Sequence, residues 1–518
     1  MGTGKRRIAA AAVVAGVLSA GLAASAGAQL PTLPVSTSPT PIPSVNVPAA
    51  PTYLGHPATP APVRGVAPVP QNRFMIANGD SEIHDDGWQS DIYTWGGPLG
   101  RSPQTFSNYL AGSGAPSIGR DCGSVTFDSQ GRVLAICISL SGPELYMFDP
   151  TTLATLATFS LPPRTPEDVL LNPNIFQDFE NGGYFYVDDH NEVVTATTTQ
   201  HIYVIGEDGD GFTLVHDYDL SSVLSSDEEI NSQLPDSNGL LWFSARRDGV
   251  VGTVNLTTGK VHVIRLGNGT TGEITKSIAT DAHGGVYIPT NQRLYRFVAG
   301  RGGVPKISWS VTYPNNGVAK PGQLDAGTGT TPVIDGPYVG INDNADPMDV
   351  MIYRTAAHLR RGERRTVCRV PVFTKGASAD ENAMIAAGRS YLIENNYGYQ
   401  TPASVGPAGV TAPGFARVDI NRRGNGCRLV WTDTSVSAPS VVSKLSLANG
   451  LIYTYTTTSA PSSPWYWTAL SYRTGKVVYQ VLAGNGTYYN NNYSGLALGS
   501  DGTAYLGTLG GIIAFRDG

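Results

Sequence analysis

The chain has 518 residues, 35 Lys and Arg against 41 Asp and Glu, a formal net charge of −6 and only 15% charged residues. That balance argues against a protein that grips nucleic acid, which needs a concentrated basic surface. With 61 Gly, 25 Tyr and only 6 Met, the composition favours β structure over helix.

In chain order, Lys5, Arg6 and Arg7 precede a small-residue apolar run from Ile8 to Ala24 and an Ala-x-Ala ending at Ala26 to Ala28. This reads as a secretory signal peptide over 1–28, cleaved before Gln29. A membrane anchor is disfavoured because the run is short and built mainly of Ala and Gly. Arg6-Arg7 leaves Sec and twin-arginine export both open. The stretch 29–70 holds 12 of the 36 prolines and too few bulky apolar residues to offset its ordering entropy. It is expected to be a disordered, polyproline-like linker. The expected address is secreted and extracellular, with the linker suited to a cell-wall-associated stalk. No membrane span remains after cleavage, and a monomer is expected.

The remainder, 71–518, carries one pattern throughout. Second strands are read at VLAICI from Val133, VVTATT from Val193, LLWFSA from Leu240, GVYIPT from Gly285, YVGIND from Tyr338, SYLIEN from Ser390, LIYTYT from Leu451 and TAYLGT from Thr503. Each is followed by a third strand such as ELYMFD, HIYVIG, DVMIYR or GIIAFR, and all but the last by an outer strand such as KVHVIRL or KVVYQVL. Turn residues punctuate the units at Asp128 to Gly131, Asp281 to Gly284 and Asp501-Gly502. Eight units of roughly fifty residues define an all-β, eight-bladed propeller. The eighth unit ends at Arg516 without an outer strand. One of the runs DIYTW or TFSNYL, between Phe74 and Leu110, is therefore expected to close the ring beside the C-terminal strand.

Cys122 and Cys137 flank the turn 128–131 almost symmetrically, and a disulfide is expected there unless a bulge at Gly131 shifts the register. Cys368 and Cys427 occupy equivalent outer-strand positions in successive units. Pairing and two free thiols are both open, because equivalent strands of neighbouring blades diverge outwards. No cysteine spacing matches a zinc site. The basic run Arg360, Arg361, Arg364, Arg365 and Arg369 is interrupted by Glu363 and is read as a solvated hairpin loop.

The wording TTPVIDGPYVGI followed by MIYR resembles the repeat of the quinoprotein-like, eight-bladed propeller superfamily, and DNADP with ENNYGY is similar to motifs of uncharacterised secreted bacterial propellers. The resemblance implies fold rather than activity. The chain departs from the quinone-dependent dehydrogenases in having no adjacent cysteines and no convincing quinone-binding set.

In a four-stranded blade, the loop between strands two and three and the crossover to the next blade open on one face, here called the top. Aligning YVGINDN with SYLIENN sets Asn342, Asp343 and Asn344 opposite Glu394, Asn395 and Asn396. The crossover between them adds Asp380, Glu381 and Asn382. These residues, with Asp346 and Tyr397, are the candidate ligand site. Asp343, Glu394 and Asn396 are the candidate ligands of a hard cation such as Ca2+, which takes oxygen donors. His201 lies at the start of a third strand and is the weaker candidate for catalysis.

The first functional reading is binding of an extracellular small molecule, carbohydrate or partner on the top face. The alternative is a divalent-metal-dependent, lactonase-like hydrolase, in which a cation-bound carboxylate serves as base. A quinone-linked oxidoreductase is the least favoured. Whether the chain is an enzyme is left open.

Overall fold

A computed structural model describes residues 38–45, 49–112, 119–139, 142–164, 183–209, 211–268 and 271–518. The expected signal peptide lies outside the described residues. Eight β-sheets follow one another around a ring. Blade one spans 121–160, blade two 185–219, blade three 230–265, blade four 279–312, blade five 333–371, blade six 385–433, blade seven 444–485 and blade eight 496–516. In each, the first strand lies innermost and antiparallel neighbours step outwards. All eight second strands fall where the repeat sets them.

The second strands read as continuous apolar runs because both faces are covered by neighbouring blades. Val133–Ser139 is buried over its first five residues, and Leu241–Ala245 and Leu451–Thr457 are buried throughout. Outer strands are wetter, as in Lys260–Arg265. Within blade seven Tyr455 stacks on Trp465 at 5.4 Å, and between blades seven and eight Trp467 meets Phe515 at 5.9 Å. This places Trp465 in the blade core and Trp467 in inter-blade packing.

The ring closes through Gln104–Tyr109, which pairs antiparallel with Gly511–Arg516 from Gln104↔Arg516 to Tyr109↔Gly511. TFSNYL is thus the closing run. Asp517 fastens the join by accepting the Leu99 and Arg101 N–H groups at 2.8 Å each.

Cys122 and Cys137 are paired, 3.9 Å apart at Cα. The register irregularity falls between Cys122 and Val125 rather than at Gly131. Cys368 and Cys427 are also joined, with Cα atoms 5.8 Å apart. The outer strands of blades five and six stay close enough here to be bridged.

Two features differ from the sequence reading. The described part of the Pro-rich segment runs along the propeller, where the reading expects a detached linker. Tyr53–Gly55 adds a strand outside Val477–Asn485, and Ala58, Ala61 and Val63 donate to Leu99, Asn449 and Leu447 carbonyls at 2.7 to 2.8 Å. Pro offers no N–H, so the residues between prolines make these contacts.

The second difference lies inside the channel. Residues 72–95 form a belt that bonds the inner strand of every blade in turn. Asn72 donates to Pro235 of blade three at 2.8 Å, Ile76 to Val187 of blade two at 3.0 Å and Asn78 to Phe127 of blade one at 2.7 Å. The chain then crosses over. Gly87, Trp88, Ser90 and Asp91 carbonyls accept the N–H groups of Thr280, Ile334, Ala386 and Leu445 in blades four to seven, and the Trp95 indole reaches Leu498 of blade eight. DIYTW contributes Ile92–Tyr93, which pairs parallel with Lys444–Ser446. An innermost strand facing an open channel leaves a row of backbone groups without partners, and the belt supplies them.

Candidate functional site

The blade-five motif acts mainly as a set of brackets. Asn342 ends the strand Tyr338–Asn342 fully buried. Its Oδ1 accepts from Thr328 Oγ1 at 2.7 Å, Gly329 N at 2.9 Å and Thr330 N at 3.1 Å, tying the incoming crossover to the blade. Asp343 Oδ1 accepts from Ala345 N at 3.0 Å and Asp349 N at 2.8 Å, closing the turn between strands two and three. Burial, with Asp349 close by, pushes its carboxyl up to about 8. Asn344 Nδ2 faces Asn315 Oδ1, Asn316 Oδ1 and the Val318 carbonyl at 3.0, 3.1 and 2.9 Å. Asp346 is exposed and accepts the Gly376 N–H at 2.6 Å. In blade six, Asn395 does similar work, accepting from Ala379 N at 3.2 Å and donating to the Ala377 carbonyl at 2.9 Å. Tyr397 is half-buried, and its N–H donates to Asn395 Oδ1 at 3.2 Å.

The other predicted residues converge. Asn382 Nδ2 donates to Glu394 Oε1, and Ser443 Oγ donates to Glu394 Oε2 at 2.9 Å. Asp380 Oδ1 accepts the Asn382 N–H at 3.0 Å. Glu381 pairs with Lys276, which comes from the crossover between blades three and four. Lys276 Nζ also donates to Thr275 Oγ1 at 2.8 Å.

Burial pushes the Glu381 carboxyl up to about 8, against the opposing pull of Lys276. The carboxyls of Asp380 and Glu394 are raised well above the usual range, first by burial. Glu381 adds repulsion at Asp380, and Asp380 adds it at Glu394. Asp380 Oδ2, Glu381 Oε2 and Asn382 Oδ1 are buried and have no partner. Asn396, 0% exposed, has both side-chain amide atoms unpartnered.

Glu381 and Asn382 form one wall of a cavity of about 40 Å³ at the top of the channel. Its floor is the belt, through Ile83 and His84; Asn231, Thr275, Lys276 and Tyr184 complete the polar lining. The His84 ring holds Nδ1 3.3 Å from both Asp91 carboxylate oxygens. Nδ1 is therefore the protonated nitrogen, and Nε2 is left buried without a partner. A cation, a carboxylate, an amide and an imidazole thus share one small chamber.

Asp343 shares no hydrogen-bond partner with Glu394 or Asn396. Among the described residues, three His, Asp or Glu ligand atoms come within 4.8 Å of one another at Asp188, His190 and Glu192. They lie on the bottom-face turn of blade two, where Asp188 Oδ1 already accepts the N–H groups of the other two at 2.8 and 3.0 Å. His201 pairs with Asp217 on the outer strand of blade two at 2.5 Å, away from the channel. Arg365, from the basic loop, lies over Trp309 at 4.3 Å and donates to the Arg354 and Ala356 carbonyls at 2.6 Å.

The residues missed from the sequence are His84, Asp91 and Lys276. A usable signal existed for the first two: Asp80, Glu82, His84, Asp85, Asp86 and Asp91 crowd twelve positions in a chain that is 15% charged. Lys276 had none.

No protein-family model matches the chain. It is 25% identical over 354 residues to an uncharacterised protein of Archaeoglobus fulgidus, covering 62% of this chain and 68% of that one. Similar solved structures include virginiamycin B lyase from Staphylococcus aureus, at 13% identity and TM-score 0.40, over 80% of this chain and 98% of that chain. Chaetomium thermophilum Sqt1, bound to the N-terminus of ribosomal protein L10, matches at 9% identity and TM-score 0.45, over 83% and 99%. None of these likenesses bears on what the chain does.

Proposed function

We propose that this chain is an exported propeller that binds a small hydroxyl-bearing molecule, of the sugar or polyol kind, at the top of its channel. The observation that carries the reading is the set of unpartnered buried atoms on residues lining one cavity: His84 Nε2, Glu381 Oε2 and Asn382 Oδ1. Each such group costs about 1–3 kcal/mol unless something polar meets it. Hydroxyls donate and accept, so they suit a wall of mixed donors and acceptors. At about 10–15 Å³ per water-sized centre, the cavity admits one hydroxylated end of a ligand whose body rests at the mouth. Asn342, Asp343, Asn344 and Asn395 then shape the rim. Two disulfides are compatible with export. Kinship with quinoprotein-type propellers enters at the level of architecture alone.

The test is a monosaccharide and polyol screen by thermal shift and calorimetry, on wild type and Asn382→Ala. A ligand that raises the wild-type melting temperature and binds the variant about ten-fold more weakly supports the reading. A ligand that ignores the substitution contradicts it.

A second reading is favoured by Asp380 Oδ2 and Asn382 Oδ1 beside Glu394: a Ca2+-type cation held by oxygen donors, with Asp343 and Asn396 as outer members. A metal-dependent hydrolase builds on that ion. Metal analysis of the purified protein, with melting before and after chelation, tests it. No metal and an unchanged melting temperature end it.

A further inference from the structure

The bottom face carries a second cleft, of about 660 Å³, between blades six and seven. The turns of both blades and residues 61–64 of the Pro-rich segment wall it, and Arg64, Arg389, Arg417, Arg422 and Arg473 line it. In a chain of net charge −6, five guanidinium groups around one cleft need a reason.

Charge accounting inside the cleft leaves most of them unspent. Asp419 is its one acidic lining residue. It binds Arg417 at 2.8 and 3.1 Å, and Arg428 approaches it at 3.7 Å. Arg417 also lies over the Tyr472 ring at 4.0 Å, so its position is fixed. Arg389 donates to the Asn421 and Arg422 carbonyls, which are neutral. Asp335 accepts the Arg389 backbone N–H and attracts its guanidinium through space without forming an ion pair. Among the described residues, Arg64, Arg389, Arg422 and Arg473 form no ion pair.

We infer that this cleft binds a polyanion bearing phosphate or sulfate groups. Arginine forks fit such oxyanions with paired N–H donors, and unlike lysine they keep a planar geometry for doing so. The Pro-rich segment is pinned beside the cleft by the Ala61 and Val63 hydrogen bonds, which sets Arg64 at its edge. A free oligophosphate and an anionic surface polymer present the same chemistry.

The experiment measures binding of inorganic tripolyphosphate and of a poly(glycerol phosphate) polymer by calorimetry at low salt. It uses the full mature chain, its R422A/R473A variant and an Arg301→Ala control. Arg422 and Arg473 are exposed, so the variant should fold; an unchanged melting temperature checks this. The expected result is binding that falls about ten-fold or more in the double variant, is unchanged in the control and weakens as salt rises. Tighter binding of tripolyphosphate identifies a free oligophosphate, whereas tighter binding of the polymer identifies a surface polymer. Equal binding by wild type and double variant, or no binding of either probe, overturns the inference.

Discussion

Two buried acidic clusters meet in the channel, and their lysines sit differently. Both clusters keep unpartnered oxygens, Asp80 Oδ1 and Asp85 Oδ2 in the belt, but those of Glu381 and Asn382 belong to residues that line the channel cavity. In the belt, Lys444 sits at the centre. Its Nζ donates to the Ile83 carbonyl and to the carboxylates of Asp85 and Asp91, while Asp80 takes the Tyr93 hydroxyl at 2.6 Å and Glu82 takes Gln89 at 2.9 Å. At the mouth, Lys276 meets Glu381 at one edge, and Asp380, Glu381 and Asn382 each keep an unpartnered oxygen. A cation at the centre of its acids makes a fastener. A cation at the edge leaves acceptors free for something that arrives from outside.

The largest effect that can break this contrast is removal of the central cation. Lys444→Met leaves Asp85 and Asp91 buried without it and should cost about 3–5 kcal/mol in urea unfolding. A loss below about 1 kcal/mol would show that the belt is not fastened there. Next, Cys368→Ser with Cys427→Ser should cost about 2–4 kcal/mol, read from thermal unfolding and mimicked by reductant in the wild type.

The pH dependence is tested by its sign. The carboxyls of Asp343 and Glu381 are pushed up to about 8 in the folded chain, whereas unfolded carboxyls titrate near about 4. Below that value both states hold the proton. Between the two values the unfolded chain has released it and the folded chain has not, so stability falls as pH rises and levels off above about 8. The slope is up to about 1.4 kcal/mol per pH unit for each such group. Melting temperatures measured from pH 5 to 8 check the sign, and a rise toward pH 8 contradicts it. Last is Glu381→Gln, which keeps the shape and leaves an amide oxygen facing Lys276. Its effect is read on binding, with ligand affinity at the mouth expected to fall about ten-fold by calorimetry.

How much of this was legible in the chain depended on whether neighbours in sequence were neighbours in function. VLAICI, LLWFSA and their counterparts are strands buried on both faces, so local apolarity located them. TFSNYL was named, with DIYTW as its alternative, because the eighth blade lacks an outer strand, a topological need visible from Arg516. The belt could not be read the same way. Its backbone and side-chain hydrogen bonds are spread over eight different blades, so it has no periodicity, and only its dense acids marked it. INDN was read as a ligand motif; Asn342 Oδ1 and Asn344 Nδ2 bond crossovers that only the folded ring brings near, while Asp343 Oδ2 and Asn344 Oδ1 stay buried without a partner. Asp380 to Asn382 and Glu394 were grouped because a blade repeat fixes which loops share a face, and Asn382 does bond Glu394. Lys276, two blades away, stood outside any such alignment.

The most direct measurement is high-resolution electron density in the channel cavity of protein purified without added ligand or soaked with the best hit of the screen. The account predicts density larger than water within hydrogen-bond distance of His84 Nε2, Glu381 Oε2 and Asn382 Oδ1. Isolated waters that satisfy all three atoms and persist unchanged in every soak would contradict it.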